Sequence, residues 1–234
     1  MTAQTLAQRL PATWRAFTAF LRAPSVLEPA GLRAPGSLRV MGAMLGLHLL
    51  GLIVLLGVIA AWQKFAGIGG PEAFDMFPAK FLIPLAVIGA PLLEETVFRG
   101  WLRGHPRALW LLLCLIVAVA IPLQVVLSQT QTLILLVGTL FAAISGSIAL
   151  RKRPAAAWFT GNFTLIFYAS ALVFGLVHVF NYGTPTLGVL PMVLPQVWAG
   201  LTLGYLRLRI GLPAAMLVHG TSNALALALA GLTG

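Results

Sequence analysis

Glu94 and Glu95 stand side by side in the stretch PLLEETVFRG, residues 91–100, with Arg99 one helical turn beyond Glu95. The 234-residue chain has only 5 acidic residues, and these two close an apolar run that begins near Phe81. A charged side chain at the centre of a bilayer costs on the order of 3 kcal/mol by insertion scales, so carboxylates found there mark function more often than structure. On a helix, Glu95 and Arg99 have the i,i+4 spacing with the acid on the N-terminal side, the better order for an ion pair. Glu94 projects about 100° away from that pair and has no local partner. It is the first candidate for chemistry. Pro91 has no amide donor, so it should leave the Val87 carbonyl unpaired and kink the helix beside Glu94.

Further polar residues recur late in the chain. His178 follows Phe174 by four residues and precedes Asn181 by three, and His219 and Asn223 lie four apart on one face of a last apolar segment. Together Glu94, His178, His219 and Asn223 suit water-driven hydrolysis of an amide. A carboxylate takes the proton from water, helped by an imidazole that orients it. A second imidazole and an amide NH₂ donate to the carbonyl oxygen as it becomes an oxyanion. A carboxylate with two imidazoles could equally hold zinc, so Glu94, His178 and His219 are also the candidate metal ligands. The residues alone leave both routes open. These segments hold no Ser/His/Asp ordering, no GxSxG and no HExxH. His48 and His105 lack a comparable partner and read as structural.

The elements that must position these groups are membrane spans. Hydrophobic residues make up 59% of the chain and charged residues 9%, against about 25% charged in an ordinary soluble domain. Apolar stretches of the length needed to cross a bilayer predict seven spans, over 40–63, 80–104, 107–127, 131–150, 158–180, 187–206 and 212–231. Alternation of the barrel type is absent. The expected fold is therefore all-α, a polytopic transmembrane bundle. Ahead of it, residues 3–22 place Leu6, Leu10, Trp14, Phe17 and Leu21 on one face, with Arg9, Arg15 and Arg22 elsewhere, as in an amphipathic helix lying on the membrane surface. This divides the chain into a surface segment and linker, 1–39, and a transmembrane domain, 40–234. Small residues four apart, at Gly42/Gly46, Gly138/Ala142/Gly146 and Gly200/Gly204, read as helix-packing faces.

The net charge of +10 comes from basic residues dispersed among loops, which points to topology and membrane lipids rather than nucleic acid. Arg9, Arg15, Arg22, Arg33 and Arg39 precede the first span. Arg103 and Arg107, then Arg151, Lys152 and Arg153, then Arg207 and Arg209 occupy every second loop after it. The alternate loops carry Lys64, Glu72, Asp75 and Lys80, then SQTQ, then NYGTPT. That asymmetry predicts a multi-pass cell-membrane protein with a cytoplasmic N-terminus and an outside C-terminus. The one cysteine, Cys114, rules out an intramolecular disulfide.

With these residues in place, the sequence resembles a known family. EETVFRG is similar to an EExxxR signature, FGLVH to FxxxH and HGTSN to HxxxN, in that order. Those motifs mark the CAAX protease and bacteriocin-processing (CPBP, or ABI) intramembrane proteases, which include the type II CAAX prenyl endopeptidases. The resemblance covers residues 80–231. It implies a membrane endopeptidase in which Glu94 is the general base, His178 its helper on the water, and His219 with Asn223 the oxyanion donors. Glu95, Arg99 and Phe174 would support them. It also implies a peptide or protein C-terminus as substrate, lipidated in CAAX-type processing. The alanine-, leucine- and arginine-rich make-up fits a bacterial chain, whose target would be another peptide. The family carries a metalloprotease label, but what is known of its prenyl-protease members favours a glutamate-activated water, with no cofactor required and zinc as the alternative.

One departure stands out: 78 residues lie between Arg99 and His178, where family members usually have a few tens. Two extra spans, an inserted hairpin at 107–150, account for the excess and leave the direction of later helices unchanged. A tension in depth follows. At about 1.5 Å per residue, Glu94 lies roughly 16 Å from His105 and His219 about 10 Å from Gly211. His178 lies about 30 Å along its helix if that begins near Trp158, and about 24 Å if it begins at Asn162. A kink, a tilt or an interfacial stretch over 155–161 must bring it level. Two other functional classes fit the same features less fully. One is a catalytically silent scaffold or immunity-type protein on the same fold. The other is a proton-coupled transporter using a Glu/His relay, disfavoured by the absence of an internal repeat.

Overall fold

The computed structural model describes residues 11–71, 78–184 and 186–233. Leu6, Arg9 and Leu10 of the expected amphipathic helix, the loop acids Glu72 and Asp75, and Pro185 lie outside the described residues. Those that are described form helices and connecting turns, with no strand among them. Seven helices are long and apolar enough to cross a membrane: Ser37–Ala66, Lys80–Arg99, Pro106–Gln124, Gln129–Ala149, Phe163–Asn181, Leu187–Arg209 and Leu212–Leu229. These are the seven predicted spans, with ends shifted by a few residues. The protein is a multi-pass, all-α membrane protein.

The chain divides into two compact units, one of residues 1–102 and 163–234, the other of residues 103–162. In the smaller unit, α4 (Pro106–Gln124) and α5 (Gln129–Ala149) form a helical hairpin. SQTQ, read as loop, starts α5: Ser128 accepts from the Gln131 amide while the Gln131 side chain accepts from the Ser128 amide, a capping box. The Trp110 indole donates to the Ala142 carbonyl at 2.8 Å. A Cβ on Gly146 would sit 2.1 Å from that indole nitrogen, so this glycine is what lets the two helices close. The short α6 (Ala157–Gly161) follows, ended by Asn162, whose amide side chain donates back to the Trp158 carbonyl at 2.8 Å.

The larger unit contains every candidate catalytic residue. Its helices are α1 (Ala12–Arg22), α2 (Ser37–Ala66), the broken α3, α7 (Phe163–Val177), α8 (Leu194–Arg209) and α9 (Leu212–Thr233). α3 comes in three pieces: Ala79–Pro84, a π-helical turn Leu85–Gly89, and Ala90–Arg99. α7 and α8 pack closely against each other. A Cβ on Gly200 would lie 2.7 Å from Ala171 Cα, and one on Gly204 would lie 3.0 Å from the Phe167 ring. Gly200/Gly204 is thus the packing face that its spacing suggested. Gly42/Gly46 is not, because added Cβ atoms there would meet nothing within 4 Å. The close approach on α2 falls instead at Gly51, where a Cβ would sit 2.2 Å from the Trp198 indole nitrogen.

α1 docks its aromatic face on the bundle. Phe17 packs against Trp198 and Tyr205, and Phe20 against Phe167 and Tyr205. The Trp14 indole donates to the Ala43 carbonyl at 2.7 Å. The buried pair is Phe17 and Phe20, so the buried stripe is turned by a residue from the face read in the sequence. Beyond α1, the amides of Ala30 and Gly31 donate to the carbonyls of Arg209 and Ile210, both at 3.0 Å. The N-terminal segment is therefore laced to the basic end of α8.

Candidate active site

The π-helical turn in α3 follows from its two prolines. Ala90 donates to Leu85, five residues back instead of four. In that register the next amide would serve the Ala86 carbonyl, but the next residue is Pro91, which has none. The freed acceptor is taken from another helix: Asn223 Nδ2 donates to the Ala86 carbonyl at 2.9 Å. Sequence reasoning expected the orphan at Val87. The Val87 carbonyl instead faces Gly220 of α9, 2.5 Å from where a Cβ would be. Gly220→Ala is therefore expected to push α9 off this turn and to destabilise the protein by about 1–3 kcal/mol, the range for overpacking. Thermal unfolding in detergent measures it.

Past the turn, the two glutamates meet different surroundings. Glu95 is wholly buried, and one oxygen, Oε1, pairs with Arg99 and accepts from His219 Nδ1 at 2.9 Å. Glu94 has a side chain 26% exposed, and its Oε2 lies 3.9 Å from His219 Nε2. The two nitrogens of one imidazole thus address the two adjacent acids. Because Nδ1 donates to Glu95, Nε2 is the ring atom turned to Glu94. The backbone carbonyl of His219 accepts from the Ser222 hydroxyl at 2.8 Å.

Phe174 joins the remaining members. The Arg99 guanidinium lies over its ring, 4.1 Å from the centroid, a buried cation–π contact. The rings of His178 and His219 meet it edge-on at 4.9 Å and 6.3 Å, and Phe98 packs at 5.1 Å. His178 Nδ1 donates to the Phe174 carbonyl at 2.7 Å, which leaves Nε2 as the ring atom open to solvent or substrate.

The helix that carries His178 takes the shorter of the two expected paths. Its spanning helix begins at Phe163, after the break at Asn162, so His178 lies about 22 Å along it. Helical side chains lean toward the N-terminus. The bond to the Phe174 carbonyl holds the ring leaning in that direction. No hydrogen bond or ion pair joins His178 to Glu94 among the described residues; they are linked through Phe174 and His219.

Arg207 is a member that sequence reasoning assigned to topology alone. From α8 its Nε donates to the Arg99 carbonyl at 3.0 Å and its Nη2 to the Gly100 carbonyl at 3.2 Å. A cation is thereby placed on the C-terminal carbonyls of the helix that carries both glutamates. Its position in the last turn of α8, two residues before Arg209, was the available signal. Of the seven residues expected at the site, six form one contact chain: Glu94, His219, Glu95, Arg99, Phe174 and His178. Asn223 stands apart, anchoring the π-helical turn through one N–H and keeping a second. Among the described residues, no group of three His, Cys, Asp or Glu side chains is arranged to hold a metal ion. An apolar groove of about 470 Å³, lined in part by Val87, Pro91, Leu92, Leu217 and Thr221, runs between α3 and α9.

A family model described as type II CAAX prenyl endopeptidase Rce1-like matches residues 77–225, more than half of the chain. No curated protein and no solved structure matches it.

Proposed function

The chain belongs to the type II CAAX prenyl endopeptidase Rce1-like family, a family of membrane proteases, and we propose that it cleaves a peptide bond with a water activated by Glu94. The observation that carries this reading is the unequal placing of the two adjacent acids. Glu95 is sealed between Arg99 and His219, whereas Glu94 is partly exposed and approaches His219 at 3.9 Å. A general base has to reach water, and of the two acids Glu94 is the one with exposed surface.

The steps follow from the groups available. Water sits between the Glu94 carboxylate and His178 Nε2 and loses a proton to Glu94 as its oxygen attacks the scissile carbonyl carbon. His219 from Nε2 and the second N–H of Asn223 donate to the oxygen that gains the negative charge. Glu95, accepting from Nδ1, fixes the orientation of the His219 ring, and Arg99 in turn holds Glu95. Glu94 then hands its proton to the departing amine nitrogen as the C–N bond breaks. The products are a carboxylic acid, which passes its proton to the freed amine, and an amine, and Glu94 is regenerated.

The substrate class is a peptide or protein C-terminus of CAAX type, presented at the membrane. The apolar groove beside the Pro91 turn supports a substrate carrying an apolar segment or lipid. The site opens toward the cytoplasm: Arg22, Arg33 and Arg39 precede the first span, and Arg207 and Arg209 close the sixth, all consistent with the positive-inside bias.

The test uses the full chain in nanodiscs with a fluorogenic peptide ending in a CAAX-like sequence, with and without a farnesyl group. Cleavage that persists with a zinc chelator, and falls about 10²-fold or more in His178→Ala, is the expected result. Cleavage abolished by chelator and restored by zinc would replace the glutamate mechanism with a metal one. Absence of cleavage alongside proton flux in liposomes would replace the protease with a transporter.

A further inference from the structure

α7 ends at Val177, and His178 opens a separate 3₁₀ turn, His178–Asn181. So short a turn has little stability of its own, because its i→i+3 hydrogen bonds are poorly aligned. Its neighbours hold it. Val179 and Tyr182 stand three residues apart, the spacing that lines side chains up along one edge of such a turn. Both pack against a cluster of Ile59, Val189 and Met192, which are 6%, 1% and 2% exposed. Ile59 comes from α2, ahead of the family-matched stretch. Trp62, three residues further along α2, packs on the same cluster, and its indole donates to the Gly188 carbonyl at 2.9 Å. Gly188 belongs to the 3₁₀ segment Leu187–Val193 that also supplies Val189 and Met192. A Cβ on Gly188 would lie 2.8 Å from Ile68 Cδ1, so the segment sits close against the chain that follows α2.

His178 is therefore anchored twice. Its ring is tied back to the Phe174 carbonyl at 2.7 Å. Its backbone is held by the cluster through the Val179–Tyr182 edge, about 120° round the turn from its own side chain. We propose that Trp62 is a positioning residue of the catalytic centre: by pinning Leu187–Val193 to α2 it fixes the Val179–Tyr182 edge, and through that edge the place of His178 Nε2 beside the catalytic water. This rests on the protease reading for the role of His178, and it extends the site to a helix outside the family match. The groove beside Pro91 is lined by none of these residues. Trp62 thus acts on the geometry of the reaction and leaves substrate binding alone.

The test compares Trp62→Phe with Trp62→Ala in the full chain in nanodiscs. Phenylalanine keeps an aromatic ring in the cluster and loses the hydrogen bond to Gly188; alanine loses both. In Trp62→Phe, kcat is expected to fall about threefold, the scale of one neutral hydrogen bond. In Trp62→Ala it should fall about thirtyfold, since misplacing a catalytic group by about 1 Å can cost about 10²-fold. KM should stay within about twofold in both. An unchanged kcat in Trp62→Ala, or a loss carried by KM, would overturn the proposal. Should Trp62→Ala fail to fold, Val179→Ala serves, since it loosens the turn from the other side of the cluster: kcat falls severalfold if the proposal holds and is unchanged if it does not. Nitrogen NMR of labelled histidine needs no activity at all. Wild type should show Nδ1 protonated in both His178 and His219, the first held by the Phe174 carbonyl and the second by Glu95. In Trp62→Ala the His178 Nδ1–H should exchange with water about tenfold faster, as local opening exposes it, while that of His219 keeps its wild-type rate. Any other pattern would make Trp62 a packing residue, even in a chain that cleaves nothing.

Discussion

Glu94→Gln should reduce peptide cleavage by about 10³–10⁴-fold, the largest effect of any single substitution in the site, while leaving the melting temperature nearly unchanged. The first half of that expectation follows from chemistry. The amide matches the carboxylate in shape but cannot take a proton from water, and general-base assistance is typically worth about 10²–10⁴ in rate. The second half follows from placement. Glu94 is partly exposed and makes no hydrogen bond within 3.5 Å among the described residues, only the 3.9 Å approach to His219. Its neutral isostere therefore leaves no buried charge without a partner. Rates and unfolding curves from one preparation check both. Cleavage by Glu94→Gln at the wild-type rate would end the proposed mechanism.

Arg99→Met is expected to do the reverse, removing both stability and activity. Arg99 is buried beneath Phe174 and is the cation paired with the fully buried Glu95. Breaking a buried ion pair from one side leaves an uncompensated charge and typically costs about 3–5 kcal/mol. Replacing both partners with apolar residues of similar size is often neutral or better. The double variant Glu95→Leu/Arg99→Met should therefore regain most of the lost stability in a denaturation series. It should not regain cleavage, because His219 Nδ1 would still lack the acceptor that sets its tautomer. A double variant with normal activity would show that the pair supports the bundle and nothing more.

Much of this arrangement was legible before any coordinates. Hydropathy runs report the length of a span directly, so the seven helices appear where the apolar stretches are. The i,i+4 pairing of Glu95 with Arg99 is a property of one helix and needed no tertiary information. What escaped is what depends on neighbours. The orphan carbonyl was expected at Val87 because an α-helical register was assumed. The π-helical turn moved it to Ala86, and only the partner on α9, Asn223, reveals the shift. Arg207 reads as one more positive charge in a loop until α8 is laid against the end of α3. His48 looked solitary because Thr202, its partner, lies 154 positions away. The spacing of Gly42/Gly46 matched a packing motif without being one, since in a glycine-rich chain such pairs arise on lipid-facing surfaces as well. The break at Asn162, which shortens the climb to His178, is signalled by a polar residue that can close a short helix with its own side chain.

The π-helical turn at Leu85–Gly89 also makes α3 a helix with two rotational phases. The extra residue held in the turn offsets everything after it by about 100° relative to everything before it. Phe81 and Ile83 can therefore face the hydrocarbon on one half of the rod while Glu95 and Arg99 point inward on the other. Deleting one residue within 85–89 would leave a segment still long and apolar enough to insert. It would also remove the one residue that the turn absorbs, so the rod would relax to a plain α-helix whose two halves keep their present directions. Straightening the turn without shortening the chain would instead rotate one half by about 100° and carry Glu95 and Arg99 off the face they now occupy.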